Sequence, residues 1–196
     1  MAICLFQWDS TVKNKIKTKK VNLMKTQEKI TKMFKSLDEL FNEFVELIGE
    51  DAFDNHWTGS LVVKYIDDCN TIRIKKMYAV DAMKAEKYFV LAPEKANRLR
   101  SFMLSGHLTS YESRNPNATI LVNGTLEQWG RWGGAVVISR QLIFSFSGLP
   151  ELLDEAFVCF LGLKSNLMSQ HQFALIKKIR TNNPYLDLVH KALIKK

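Results

Sequence analysis

Six residues of this chain have types and settings suited to ligand chemistry: Lys95, Arg98, Gly133, Gly134, Ser147 and Gly148. Ser147-Gly148 stands just ahead of a helix that opens at Pro150-Glu151. A helix start offers backbone N–H groups, and with the Ser147 hydroxyl beside them the spot suits an anion or a carbonyl oxygen. Gly133-Gly134 lets the chain enter a strand through conformations, or at a close backbone approach, that a side chain would block. Turn shaping and helix capping would account for the same glycines and serine without a ligand, so the residues alone leave both readings open. Lys95 and Arg98 share one helical segment, where they suit either an anionic ligand or solvent. The histidines, His56, His107, His171 and His190, are scattered. No P-loop, GxGxxG, HExxH, GxSxG or paired-cysteine signature is present, so no nucleophile–base pair or metal cluster marks an enzyme.

The elements that must position these residues follow from periodicity. Apolar residues at Ile30, Met33, Phe34, Leu37, Leu40, Phe41, Phe44, Val45 and Ile48 step by threes and fours, which predicts one long amphipathic helix from Thr26 to Ile48. Thr26 or Ser36 suits a cap and Gly49 a stop. The β-branched Leu61–Ile66 and the alternating Thr71–Lys75 read as a hairpin turning at Asp67-Asp68-Cys69-Asn70. A second helix covers Glu86–Ser105, with Pro93 opening or kinking it and Gly106 ending it. Ala118–Val122 reads as a short strand, and Gly134–Ser139 with Gln141–Ser147 is the clearest hairpin. A third helix runs from Pro150 to Lys164 with Glu151, Asp154 and Glu155 in its first turn, where acids favour the dipole. Ser169–Arg180 and Pro184–Lys196 read as basic amphipathic helices, while the lysine-rich Thr11–Lys25 reads as weakly ordered. The order points to an α/β chain of the α+β type, with helices packed on an antiparallel sheet.

The stretch Trp132–Glu155 joins a Gly-Gly pair, a hairpin, Ser-Gly and an acidic helix start. Upstream, Trp57 precedes a strand, Asp67-Asp68 fills a hairpin turn, Lys76-Met77 ends the returning strand, Lys95-Ala96 lies on the second helix, and Arg98 leads to Gly106-His107. In that order these features resemble the GlcG/HbpS-like family, also called heme-degrading-like, and within it a branch with a GGA…SGL pattern before an acidic helix. The resemblance covers about residues 26–165, leaving 1–25 and 166–196 as basic extensions. It implies a profilin-like fold, a central antiparallel sheet flanked by helices, usually assembled into homo-oligomers. It also implies a ligand site near Lys95, Arg98, His107, Gly133-Gly134 and Ser147-Gly148. Heme is the cofactor the family name implies; its ligation there involves histidine, and His107 is the histidine the resemblance touches. The chain departs from the pattern at Ser139-Arg140, where many relatives carry a glycine. It departs again at Phe144 and Phe146, which would fill any room left by the glycines relatives tend to have.

Charge and cysteine usage bound the partners. The net charge of +8 is uneven: residues 1–35 carry nine lysines against Asp9 and Glu28, and 164–196 carry seven basic residues against Asp187. The middle is acidic, so a nucleic-acid partner is expected only through the basic tails. Cys4, Cys69 and Cys159 are odd in number and widely spaced, which points to reduced thiols and a cytoplasmic location. Asn117-Ala-Thr119 and Asn123-Gly-Thr125 match the glycosylation sequon by chance on that view. Apolar runs such as Ala135–Ile138 fall far short of the ~20 residues of a membrane helix, so no membrane partner is expected. The expected function is small-molecule or cofactor binding. The alternative is a non-enzymatic oligomeric assembly or adaptor protein that works through its surfaces and tails.

Overall fold

The computed structural model describes residues 10–54, 58–66, 72–77, 82–115, 117, 120–122, 125–127 and 132–194. Trp57, Trp129, Cys4, Cys69, the Asp67-Asp68 turn and the sequon at Asn123 lie outside the described residues. The described chain begins with α1 (Ser10–Lys35) and α2 (Leu37–Ile48), then β1 (Gly59–Tyr65) and β2 (Ile72–Met77). There follow α3 (Ala82–Phe102), β3 (Ile120–Val122), β4 (Thr125–Glu127), β5 (Ala135–Ser139) and β6 (Leu142–Ser147). Three helices close the chain: α4 (Glu151–Lys164), α5 (Gln170–Ile179) and α6 (Tyr185–Ile194).

Two differences from the sequence reading stand at the N-terminal end. Residues 11–25, expected to be weakly ordered, belong to α1, and the single helix expected over Thr26–Ile48 is interrupted at Ser36. Lysine and the other straight-chain residues of this segment lose little side-chain freedom in a helix, so a polar composition does not argue against one. Gly49, at φ +94°, ends α2 as expected.

The hairpin signals pair into an antiparallel sheet of order β2-β1-β6-β5, with β3 and β4 forming a separate two-stranded ladder. In this register Ser60 lies opposite Ser147 and Val62 opposite Ser145, so β1 and β6 send the same parity of residues to each face. One face, carrying Leu61, Val63, Tyr65, Val136, Ile138, Phe144 and Phe146, packs into the main core. That core includes Phe41 and Phe44 of α2 and Leu153, Phe157 and Phe160 of α4. The opposite face, with Val62, Ala135, Val137 and Ile143, is covered by Ala92, Ala96 and Leu99 of α3. The sheet is therefore a layer between α3 on one side and α4, with α2 and α6 behind it, on the other. The class is α+β.

α5 and α6, expected as part of a basic extension, are built into that core: Phe173, Ile176, Leu186 and Val189 are fully buried in the main cluster. Burying an aliphatic or aromatic side chain contributes roughly 1.5–3 kcal/mol, so these four alone tie α5 and α6 firmly to α4. Among the described residues no helix is long and apolar enough to cross a membrane.

Candidate functional site

α4 is apolar on nearly every side, from Leu153 through Leu161, and its neighbours bury it. The two acids inside it, Asp154 and Glu155, are buried with it, at 2% and 0% exposure. This corrects their reading as acids that merely complement the dipole, because a buried carboxylate needs a partner. Each has one, on a different element packed against the helix.

Asp154 faces α3. Its Oδ2 accepts from Lys95 Nζ at 2.8 Å, and its Oδ1 accepts from the Leu149 N–H at 2.9 Å. Lys95 Nζ also donates to the Phe146 carbonyl at 3.1 Å. Lys95 is thus buried in an ion pair and is not a solvated surface charge. Burial lifts the Asp154 carboxyl to about 7, with Lys95 and the Leu149 N–H opposing the rise and Glu151 adding to it. The two Glu155 oxygens accept from Arg180 Nε at 2.8 and 2.9 Å, and Oε1 also accepts from Asn183 at 3.1 Å. Burial raises its pKa and Arg180 opposes the rise. Cys159, one turn further along α4, is a buried free thiol, and burial pushes its pKa well up.

Beside the Lys95–Asp154 pair lies a half-open cleft of about 250 Å³ between α3 and the start of α4. Its walls are Lys87, Tyr88, Leu91 and Lys95 from α3, Trp132, and the run from Ser147 through Glu151 with Asp154. Two backbone conformations shape it. Gly134 sits at φ +113°, and a Cβ there would come within 2.8 Å of both the Phe146 carbonyl oxygen and Asp154 Cβ, and within 3.1 Å of Lys95 Nζ. Gly148 sits at φ +146°, and a Cβ there would overlap the Thr58 carbonyl oxygen. Both positions need glycine for conformation and for space. Gly133 donates its N–H to Glu151 Oε1 at 2.7 Å, which fixes the approach to β5 against the first turn of α4. Arg114 reaches the same Glu151 oxygen at 3.5 Å.

Of the residues singled out on the sequence, Lys95, Ser147 and Gly148 line the cleft, and Gly133 and Gly134 stand immediately behind its wall. Arg98 and His107 are not among its lining residues. The Arg98 guanidinium is spent on structure, as Nε donates to Glu94 at 2.7 Å. Its Nη1 donates to the Ser110 and Ser113 carbonyls at 2.7 and 3.0 Å, and Nη2 donates to the Trp132 carbonyl at 2.8 Å. Arg98 therefore positions Trp132 and the 110–113 turn. His107 stacks on Phe102 with ring centroids 5.4 Å apart. Phe144 and Phe146 point into the main core on the far face of the sheet, so their bulk does not fill the cleft; Ser145 and Ser147 face α3 instead.

Sequence reasoning missed Asp154, Glu151, Trp132, Tyr88 and Lys87 as members of the site. A signal existed for Asp154, since an acid inside an all-round apolar helix must be buried and paired. The pairing itself had none, because Lys95 is 59 residues away.

The cleft does not fit heme. Among the described residues no histidine, cysteine or methionine lines it, His107 is engaged with Phe102, and its volume lies below the ~300–1,000 Å³ of pockets that take drug-sized ligands. Among the described residues no group of three or more histidine, cysteine, aspartate or glutamate side chains is placed to hold a metal ion. Comparison of the chain with protein-family models, with curated proteins and with solved structures finds no match.

Proposed function

We propose that this chain is a small-molecule-binding protein of profilin-like architecture, whose ligand is a compact monoanion with a flat or apolar body. The observation that carries the reading is the convergence in one cleft of Lys95, Ser147-Gly148 and Trp132 at the start of α4, brought together from three separate segments. Leu91, Pro150, Tyr88 and the partly exposed ring of Trp132 give the cleft apolar and aromatic walls for the body of the ligand. The positive end of α4, the Ser147 hydroxyl and the lysines favour a carboxylate at its inner end.

The Lys95–Asp154 pair couples that binding to protons. The charged groups around Asp154 are Lys95 from α3 and Glu151 on its own helix, with Lys87 also lining the cleft. With Asp154 ionised the pair is neutral; with Asp154 protonated, the Lys95 charge is left for an anion. A carboxyl that titrates at about 7 is mostly protonated at pH 6 and mostly ionised at pH 8, so an anion binds about tenfold more tightly at pH 6. Calorimetric titration with benzoate at the two pH values tests this. Saturable binding that is stronger at pH 6 and lost in Lys95→Met supports the reading; absence of binding at both pH values refutes it.

The oligomeric reading is favoured by one feature, the end of α3 and the short turn after it, where Phe102 is 43% exposed and Leu104 is fully exposed. A concentration-independent monomer in sedimentation would remove it.

A further inference from the structure

Holding an anion needs only an accessible positive charge, and the Lys95–Asp154 pair is built for more than that. The two side chains are 2% and 3% exposed, yet both line the cleft, so a ligand there meets them largely out of water. Lys95 Nζ has two partners among the described residues, Asp154 Oδ2 at 2.8 Å and the Phe146 carbonyl at 3.1 Å. An ammonium has three donors, so one position on this nitrogen is unspent. A desolvated lysine that gives up its proton is a nucleophile toward carbonyl carbon. The group that would take the proton is already in place. Asp154, whose carboxyl burial lifts to about 7, accepts and returns a proton near neutrality.

We propose that Lys95 captures 2-oxo acids covalently, as an imine, with Asp154 carrying the protons. This rests on the cleft being the anion site proposed above. A 2-oxo acid bears its carbonyl carbon next to its carboxylate. Lys95 Nζ bonds the carbonyl of Phe146, the residue before Ser147. A carboxylate held by the Ser147 hydroxyl and the start of α4 therefore brings the adjacent carbonyl carbon to the lysine. The Lys95 ammonium first passes a proton to the Asp154 carboxylate. The free amine then attacks the carbonyl carbon; the nitrogen–carbon bond forms and the carbonyl electron pair moves to oxygen, which takes the proton back from Asp154. The nitrogen next returns a proton to Asp154, which delivers it to the hydroxyl. Water leaves, and a protonated imine remains beside the Asp154 carboxylate. The sequence begins with ammonium and carboxylate and ends with iminium and carboxylate, so neither end state leaves a lone charge in the buried site.

The test incubates the full chain with pyruvate and sodium cyanoborohydride, which reduces the imine to a stable carboxyethyl amine, and maps the labelled lysines by peptide mass spectrometry. Lys95 is expected to label ahead of exposed lysines such as Lys25 and Lys32, and excess benzoate is expected to block it alone. Asp154→Asn, checked for its helical circular dichroism, should slow labelling of Lys95 by roughly 100-fold or more and leave Lys25 and Lys32 as they were. Labelling of Lys95 no faster than that of the exposed lysines overturns the capture, and so does an equal rate in wild type and Asp154→Asn. Equal labelling by acetaldehyde, which has no carboxylate, overturns the assignment to 2-oxo acids. Benzoate binding in the cleft with Lys95 unlabelled overturns the capture and leaves the anion site standing, whereas neither binding nor labelling overturns both.

Discussion

Replacing Asp154 with Asn separates two effects that act in opposite directions on the same carboxyl. Burial penalises the charge, and Lys95 with the Leu149 N–H stabilises it; the balance leaves the pKa at about 7 against an ordinary value of 3.8. The folded protein therefore holds the Asp154 proton more tightly than the unfolded chain does. The stability this contributes is full below the unfolded pKa, declines as the pH rises, and is gone above the folded pKa. About two pKa units of that range lie between pH 5 and pH 8, at ~1.4 kcal/mol each, so wild type gives up about 3 kcal/mol across that window through this group alone. Asn cannot titrate and does not follow that decline. Its amide nitrogen facing Lys95 Nζ costs on the order of 1 kcal/mol at every pH, so only the change with pH is diagnostic. Urea unfolding of both proteins at pH 5 and pH 8 measures it. The variant should gain about 3 kcal/mol on wild type between the two. A gap that stays constant, or a variant that loses ground as the pH rises, would show that the ion pair outweighs burial and would refute the account of Asp154.

Three further outcomes follow from the packing. Glu155→Ala leaves the Arg180 guanidinium, at 1% side-chain exposure, without its carboxylate; it should cost on the order of 3–5 kcal/mol in urea unfolding, and Glu155→Leu/Arg180→Met should recover most of that. Gly148→Ala meets both a φ of +146° and the Thr58 carbonyl. It should cost at least about 2 kcal/mol and lower the melting temperature. Arg98→Met frees the Trp132 carbonyl and the 110–113 turn. It should weaken benzoate binding by raising the dissociation constant while Lys95 stays paired, and unchanged binding would remove Arg98 from its positioning role.

Periodicity was enough for the two hairpins and for the helices that cover them. The alternation in residues 134–147 and in 61–75 is strong, and the glycines that end the first two helical segments mark their own positions. The lysine-rich stretch before Thr26 was not legible as helix, because low hydropathy is shared by disordered tails and by exposed helices. α5 and α6 were legible as helices but not as core, since a spacing of three and four shows that a face exists and not what covers it. In the site, the glycine pairs were found because backbone conformation leaves a local mark. Arg98 misled for the converse reason: a guanidinium that clamps three carbonyls looks, on the sequence, like one that waits for an anion. The Lys95–Asp154 pair and the placing of Trp132 depend on the β1–β6 register and on how α3 lies across it, and nothing local encodes either.

The most direct test of the central claim is a titration of ¹⁵N-labelled protein with benzoate at pH 6, followed by amide chemical shifts. The account expects saturable shifts confined to residues 87–95, to Trp132, Gly133 and Gly134, and to 147–154, all abolished in Lys95→Met. Saturable shifts centred elsewhere, or none at millimolar benzoate, would contradict the assignment of the cleft as the binding site.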